Sequence, residues 1–331
     1  MESTMLGTLW PVSRFTLGGG GVAQIWGETS REEAVATVRL AADAGVTLFD
    51  AAPMYGRGEA ERVFGEAFDG TPPEGTRFTT KCQVGTPAPG SAYERMETSL
   101  VRSLETMKIE RADLFFLHSN ICPDDYRYHK NADVQDRFAT RWSAYEGEVV
   151  PALERLKEKG LIADWGITGT GLPKSIMDAL RADKKPAVVQ AVSNLMDSAG
   201  SMRRYEEPTE ARNIIRTAKN NDVGVLGIRA VQAGALTASL DREAAPEEMA
   251  DYEKASGFRA LCAQWGEDPA VIAHRYVLSM EGVDSVILGV KNRQELQSLL
   301  DGEAQGPLDV AQRKAIDGLR LNFNMPRMPI D

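Results

Sequence analysis

Four residues of the chain carry the functional groups that proton transfer requires, and each stands at or just beyond the end of a short apolar run. Asp50, Lys81 and His118 end three consecutive runs, and Tyr55 follows Asp50 by five positions. A charged residue after one apolar run is usually the polar start of a loop. Three successive runs that end on an acid, a base and an imidazole indicate instead a shared site.

The chemistry open to this set follows from the ordinary pKa values of its groups. A phenol titrates near 10 in water, so Tyr55 by itself is a poor proton donor or acceptor at neutral pH. A nearby ammonium such as Lys81 stabilises the phenolate and lowers that pKa, and Asp50 can hold Lys81 in position. Tyr55 can then exchange a proton with a carbonyl or alcohol oxygen, which His118 can orient. Because the set needs no nucleophile, it predicts hydride transfer with a cofactor.

The elements that must position these residues are repeated strand-plus-helix units. Short runs rich in Val, Ile, Leu and Phe alternate with helical patterns, which is typical of a parallel sheet covered by helices. Two helices are predicted to open with capping boxes, at Ser30 with Glu33 and at Ser91 with Glu94. The strand candidates are RFTLG, VTLFD, RFTTK, ADLFFLH, IADWGIT, AVVQAV, VGVLGI and DSVILGV. Eight such units in 331 residues predict one α/β domain over 1–331, a (β/α)8 TIM barrel with its site at the carboxyl ends of the strands.

Composition limits the partners of the chain. A formal charge of −10 argues against nucleic acid and anionic membranes, and no stretch reaches the roughly 18 apolar residues of a membrane span. The three cysteines lie far apart, which suits a reducing compartment. The three histidines show no metal-binding spacing, so His129 is expected in a solvated loop and His274 in a structural helix. We therefore predict a cytoplasmic protein with a small-molecule partner and no metal; the oligomeric state is left open.

The phrases GVTLFDAAPMYGRGEAERVFG, TTK and LHSN, spaced as they are, resemble the aldo-keto reductase family. The likeness runs from about Phe15 to Leu300, and the first phrase looks closer to relatives that oxidise sugars or pyridoxal-like alcohols. The resemblance implies a (β/α)8 barrel that uses NADPH, or sometimes NADH, to interconvert a carbonyl and an alcohol. It makes Tyr55 the general acid and base, tuned by Lys81 and Asp50. It makes His118 the group that orients the carbonyl.

The resemblance also implies cofactor positions. Gln190 matches the family's carboxamide-binding glutamine, whereas Ser193 and Gly169 stand where many members have a stacking tyrosine and an asparagine. Segments 227–236 and 287–296 occupy the places of the pyrophosphate-covering loop and the adenosine-phosphate segment. The full expected set is Gly21, Val22, Thr168, Gln190, Asn194, Arg229, Gly289, Lys291 and Arg293. The cations Lys291 and Arg293 suit a 2′-phosphate, so NADPH/NADP is expected over NAD.

The substrate rim is expected from loops at the same face. It should include Trp26, Met54, Asn120 and Trp142, together with an insertion from 121 to 145 that mixes aromatic and charged side chains. Such a rim suits a hydroxylated or ring-bearing carbonyl or alcohol better than a simple alkyl aldehyde.

Two alternatives compete with this interpretation. The segment GGGGVA fits a dinucleotide-binding turn with Asp50 on the next strand, although QIWGET separates the glycines from the helix they should open. The second alternative is a non-catalytic, NADPH-binding regulatory or partner subunit of the same fold. The complete set of four polar residues favours catalysis.

Overall fold

In the computed structural model, which describes residues 1–127 and 132–322, eight parallel strands close into a barrel in chain order. We label them β1 to β8: Phe15–Gly18, Leu48–Asp50, Arg77–Cys82, Ala112–Leu117, Ile162–Thr168, Val188–Val192, Gly224–Ile228 and Ser285–Leu288. The last strand pairs with the first in the register Val286↔Phe15. All eight sequence-predicted strands are confirmed. The open sheet of the dinucleotide-binding alternative is excluded.

Helices surround the barrel in the described ranges. We label the α-helices α1 to α14: Gly19–Val22, Arg31–Asp43, Glu59–Phe68, Ala92–Met107, Ala132–Phe138, Trp142–Ala144, Val150–Glu158, Pro173–Arg181, Ala211–Asn220, Pro246–Lys254, Ser256–Trp265, Pro269–Leu278, Arg293–Ala304 and Val310–Gly318. A π-helix, Tyr145–Val149, precedes α7, and 3-10 turns occur at Gly200–Met202 and Gln232–Gly234. Across the described part of the chain, none of these helices has the length and apolarity to span a membrane.

The two predicted capping boxes have different outcomes. At the start of α2, Ser30 Oγ accepts a hydrogen bond from the backbone N of Glu33 at 3.1 Å, but the Glu33 carboxylate bonds Arg293 instead of returning to Ser30. At α4 the predicted box is wrong, because Ser91 has helical dihedral angles and donates its hydroxyl to Ala88 O. In α2, the guanidinium of Arg293 gives the Glu33 carboxylate a stronger, charge-assisted hydrogen bond than the backbone N–H of Ser30 would.

The barrel interior is mainly apolar at the amino-terminal ends of the strands. Leu48, Leu114, Phe116 and Leu226 pack there with Leu6 of the N-terminal segment. That segment forms a two-stranded antiparallel sheet, Ser3–Met5 with Pro11–Ser13, which the sequence interpretation did not include. Each fully buried side chain of this size contributes about 1.5–3 kcal/mol. Thr16 and Ser285 also face this interior and bond each other through their hydroxyls at 2.7 Å, whereas the charged interior residues lie at the carboxyl end of the strands.

The glycine run that resembled a dinucleotide-binding turn has a packing reason. A Cβ atom added to Gly21 would lie 2.0 Å from Val290 O, and one added to Gly18 would lie 2.4 Å from Leu288 O. No side chain fits at either position. The glycines therefore let the start of α1 touch the end of β8, where the barrel closes.

The loop after β4 contains a further small sheet, in which Asn120–Cys122 pairs with Ala139–Arg141 in parallel. Residues 128–131 of this loop, which include His129, lie outside the described part of the chain. Long loops at the carboxyl face of a barrel are the segments that shape substrate sites.

Candidate active site

The carboxyl ends of β2 and β3 bring Asp50 and Lys81 together inside the barrel. Lys81 Nζ lies 2.7 Å from Asp50 Oδ2 and donates a second hydrogen bond to Ala51 O at 2.8 Å. The Lys81 and Asp50 side chains are 0% and 2% exposed. A buried ion pair persists only when its polar atoms are satisfied. The pair is therefore a fixed part of the barrel and not a surface contact.

A tight turn returns Tyr55 to this pair. Gly56, Arg57 and Gly58 have φ values of 58°, 55° and 85°, a left-handed run that glycine adopts freely and arginine does not. At Gly56 a Cβ atom would lie 2.6 Å from Ala23 O. The turn sets the half-buried Tyr55 ring so that Lys81 Nζ lies 4.5 Å from the ring centroid.

His118 completes the strand-end cluster, our name for Asp50, Tyr55, Lys81 and His118. Its ring meets the Tyr55 ring edge to face, with 5.8 Å between centroids, and its backbone N donates to Cys82 O. Burial, followed by the charge of Lys81, lowers the pKa of His118 to about 3. The imidazole is therefore neutral at physiological pH.

The hydrogen bonding of His118 favours one tautomer. Nδ1 is buried and has no partner among the described residues. A buried N–H donor without a partner is rarer than a buried acceptor without one. We therefore assign the proton to Nε2, which leaves an N–H donor for an oxygen bound at the site.

The pKa shifts in the strand-end cluster have two opposing causes. Burial raises the pKa of Tyr55, the charge of Lys81 opposes it, and the net direction is upward. The predicted net lowering of the Tyr55 pKa is therefore wrong, although the charge of Lys81 acts in the predicted direction. Burial lowers the pKa of Lys81, but Asp50 and Tyr55 together raise it above the ordinary value. Lys81 is therefore charged and Tyr55 protonated at neutral pH.

Two residues support Asp50 from other strands. Thr79 Oγ1 and Gln190 Nε2 both donate to Asp50 Oδ1, at 2.5 Å and 2.6 Å. The sequence interpretation missed Thr79, although its position two residues before Lys81 places both side chains on the same face of β3. It assigned Gln190 to the carboxamide of the cofactor. The Gln190 amide donates to Asp50, and its role toward a cofactor stays a prediction.

The other expected cofactor residues of β5 and β6 are mainly bonded within the protein. The Asn194 amide donates to Ser198 O and Arg229 O and accepts from the backbone N atoms of Met196 and Ser198. Its donors and acceptors are thereby used, so Asn194 holds the loops after β6 and β7 together. Thr168 Oγ1 donates to Leu117 O at 3.3 Å.

Arg229, at the end of β7, forms a buried ion pair that the sequence did not indicate. Its Nη2 lies 2.7 Å from Glu248 Oε1 on α10, and its Nε donates to Gln232 Oε1. The Arg229 and Glu248 side chains are 6% and 4% exposed. The guanidinium expected to meet the cofactor thus fixes α10 over segment 227–236.

The two cations after β8 also have carboxylate partners. Lys291 Nζ lies 2.7 Å from Asp241 Oδ2 and is also paired with Glu295. Arg293 Nη2 lies 2.8 Å from Glu33 Oε2. Neither cation is left as an isolated positive charge.

The mouth between β1 and β8 is lined by glycine and covered by Trp26. Cβ atoms added to Gly20 and Gly289 would approach the Trp26 indole to 3.0 and 3.1 Å, and the Arg242 guanidinium lies 5.1 Å from that ring. Trp26 therefore contacts the expected cofactor segments; its role at the substrate rim stays a prediction. Of the other expected cofactor positions here, Gly21 touches the β8 loop and Val22 lies in the core.

The remaining rim residues are spread over two loops. Met54 is 44% exposed beside Tyr55, and Asn120 Oδ1 accepts from Thr170 Oγ1 at 2.8 Å. Trp142 packs on Tyr145, with 5.5 Å between ring centroids. Met54 and Asn120 thus adjoin the strand-end cluster in the chain, whereas Trp142 packs at the entry to the π-helix.

The chain folds as a closed (β/α)8 barrel with the strand-end cluster at the carboxyl ends of its strands, and comparison with known proteins identifies its family. The chain belongs to the Aldo/keto reductase family, whose profile matches residues 14–320. Members of this family are oxidoreductases of carbonyls and alcohols that use nicotinamide cofactors. The predictions of this family and of a carbonyl/alcohol oxidoreductase are thereby confirmed.

Individual relatives are distant but cover most of the chain. An Arabidopsis thaliana L-galactose dehydrogenase is 23% identical, over 86% of this chain and 82% of the relative. A pyridoxal 4-dehydrogenase of Microbacterium luteolum is 22% identical, over 86% of this chain and 88% of the relative. An NADH-specific methylglyoxal reductase of Escherichia coli is also 22% identical, over 90% of this chain and 92% of the relative. The holo form of an aldo-keto reductase from Bacillus halodurans superimposes with a TM-score of 0.71 at 18% identity, covering 96% of each chain.

Proposed function

We propose that the chain interconverts a hydroxylated carbonyl compound and its alcohol with a nicotinamide cofactor, and that Tyr55 is the general acid and base. The observation that carries the proposal is the contact of Tyr55 with a buried, charged Lys81 beside a neutral His118. Asp50 holds Lys81 from the opposite side.

The described residues fit a nicotinamide cofactor at the barrel mouth. Gly20 and Gly289, just beyond the ends of β1 and β8, lie against the Trp26 indole, so no side chain narrows the mouth at these two positions. When bound, the nicotinamide ring supplies the hydride in reduction and takes it up in oxidation. Thr168 ends β5 and pairs with Gln190 in the middle of β6, and in this proposal their side chains meet the carboxamide of the nicotinamide.

The protein's own groups manage the proton. In reduction, Tyr55 OH donates its proton to the substrate oxygen, and the Lys81 ammonium stabilises the phenolate that remains. Asp50, held by Thr79 and Gln190, keeps Lys81 charged and in place. His118 Nε2–H donates a hydrogen bond to the same oxygen and so stabilises the negative charge that develops on it. In oxidation the phenolate takes the proton of the alcohol.

The loops at the site support the hydroxylated substrate class. Tyr126 OH bonds the Glu207 carboxylate at 2.7 Å, and the Arg204 guanidinium lies 4.1 Å from the Phe138 ring centroid. These contacts join the loops after β4 and β6 into a rim with aromatic faces and hydrogen-bonding groups. Relatives that are named for a sugar and for pyridoxal agree with this class.

The test is a screen of the purified protein with aldehydes, ketones, sugars and polyols, following nicotinamide absorbance in both directions. We expect hydroxylated compounds to have the highest kcat/KM. If simple aliphatic aldehydes outperform all of them, the substrate class is wrong. Tight cofactor binding without turnover of any compound would favour the regulatory-subunit alternative.

The three buried, free thiols support the proposed cytoplasmic location.

A further inference from the structure

The loops after β7 and β8 meet at the N-terminus of α13, the region where many (β/α)8 barrels bind a phosphate group. Lys291 lies between β8 and α13, and Asp241 lies between β7 and α10. On the proposed function, on which this inference rests, the adenosine end of the dinucleotide binds here. The charges of this region therefore decide between a 2′-phosphate and a 2′-hydroxyl.

Glu33 already occupies the donors that a phosphate would need at α13. Its Oε1 accepts from the backbone N of Arg293 at 2.9 Å and from Nε at 3.1 Å, and its Oε2 accepts from Nη2 at 2.8 Å. The first N–H groups of a helix and a guanidinium are the protein's usual phosphate ligands. A side-chain carboxylate from α2 thus stands where a ligand anion would stand.

Lys291 is enclosed by acid in the same way. Besides the contact of Nζ with Asp241, Glu295 pairs with Nζ and accepts from the backbone N of Lys291 at 3.0 Å. Only 17% of the Lys291 side chain is exposed. Releasing this ammonium to a phosphate would leave Asp241 and Glu295 facing a second anion.

The cations at the α13 N-terminus are already engaged by the protein. Glu33, Asp241 and Glu295 pair with Arg293 and Lys291, and the nearby Arg242 lies over the Trp26 ring and donates to Ala233 O. A phosphate monoester carries about −1.5 to −2 at pH 7 and would have to displace these carboxylates. A ribose 2′-hydroxyl instead donates a hydrogen bond to a carboxylate, as it does in NAD-binding folds.

We propose that this chain prefers NAD(H) to NADP(H), and that Glu33, Asp241 and Glu295 are the specificity-determining residues. The sequence-based expectation of NADPH considered Lys291 and Arg293 without their partners. The ion pairs reverse that expectation because the two apparent phosphate ligands are bound to carboxylates of the protein.

The experiment measures the dissociation constants of NADH and NADPH by fluorescence titration, without substrate. The wild-type protein should bind NADH at least tenfold tighter. The Glu33→Gln/Asp241→Asn/Glu295→Gln variant should lower that ratio at least tenfold, chiefly by binding NADPH more tightly. The matched control is Glu281→Gln, which removes an exposed ion pair with Lys219 at the opposite end of β8 and should leave the ratio unchanged.

Tighter binding of NADPH by the wild-type protein overturns the inference, as does an unchanged ratio in a folded triple variant. If that variant does not fold, the single variant Glu33→Gln tests the inference, since it changes the contacts of one partly exposed side chain. Its preference for NADH over NADPH should fall at least threefold. A protein that prefers NADPH and turns over carbonyls refutes this inference but not the proposed function. A protein that binds neither dinucleotide refutes both.

Discussion

At the scale of single residues, burial and charge act on Tyr55 in opposite directions. Burial raises the pKa of the phenol, and the ammonium of Lys81 limits that rise. A protonated phenol beside a cation is suited to donate a proton, because the product phenolate is stabilised where it forms. The same arrangement explains why Asp50 must be present: without it, Lys81 would be an unpaired buried charge.

Replacing Tyr55 should remove proton transfer and leave cofactor binding intact. We expect Tyr55→Phe to lower kcat by about 10²–10⁴-fold, the usual contribution of general acid catalysis. The dissociation constant for the preferred dinucleotide should stay within about twofold. Steady-state kinetics and fluorescence titration measure the two quantities.

The matched control is Tyr93→Phe, which removes a hydroxyl bonded to Glu97 on the outer helix α4 and should leave kcat unchanged. A folded Tyr55→Phe protein with wild-type turnover would exclude Tyr55 from the mechanism.

Removing the charge of Lys81 should shift the pH dependence of oxidation. The ammonium lowers the pKa of Tyr55, whereas Asp50 raises it, so Lys81→Met removes the lowering contribution and keeps the raising one. The rise of kcat with pH, which reports formation of the phenolate, should move to higher pH. An unchanged profile in a folded variant would show that Lys81 does not tune Tyr55.

At the scale of elements, the substrate rim depends on two loops that hold each other. Tyr126 and Phe138 belong to the loop after β4, and Glu207 and Arg204 belong to the loop after β6. Neither contact includes a residue of the cofactor segments after β7 and β8, although Asn194 and Ser198 bond the loop after β6 to the loop after β7. We therefore expect these two contacts to act on substrate affinity.

The variant Tyr126→Phe/Arg204→Ala tests this expectation. Loss of one hydrogen bond to a charged group and one cation–π contact, each worth about 1 kcal/mol, should raise KM for the best hydroxylated substrate by about 3–30-fold. The dissociation constant of the dinucleotide should not change. Arg216→Ala, on the exposed face of α9, serves as the control. A weaker dinucleotide complex in the rim variant would show that the two rim contacts also support the cofactor segments.

At the scale of the whole molecule, acid should destabilise the fold through a buried histidine. His274 on α12 is 4% exposed, and burial, opposed by a hydrogen bond to Ala270 O, lowers its pKa to about 4. The unfolded chain, with a pKa near 6.5, binds more protons below that pH. The stabilising contribution is complete above about pH 6.5 and is lost as the pH falls toward 4.

Between pH 7 and pH 5 this residue should cost up to about 2 kcal/mol of the free energy of unfolding. We expect His274→Gln to show a shallower loss over that interval in urea titrations, before most carboxylates begin to protonate. Equal pH slopes for the two proteins would mean that His274 is not buried in its neutral form.

The eight strands and the members of the strand-end cluster could be predicted from the sequence alone. Each apolar run that ends on Asp50, Lys81 or His118 shows where a buried strand lies and where it ends. In a barrel of successive βα units, the order of the strands follows the order of the chain. For this reason all eight strands and the position of the cluster could be predicted.

The pairing of the polar groups depends on the fold and could not be predicted from the sequence. Gln190 meets Asp50 across the barrel, and Glu33 meets Arg293 at the point where the two ends of the chain close it. These partners are 140 and 260 residues apart, and no local pattern encodes them. The net pKa of Tyr55 depends in the same way on its depth in the folded protein. Residue types along a chain determine which charges are available; the fold determines which of them remain free to act on a ligand.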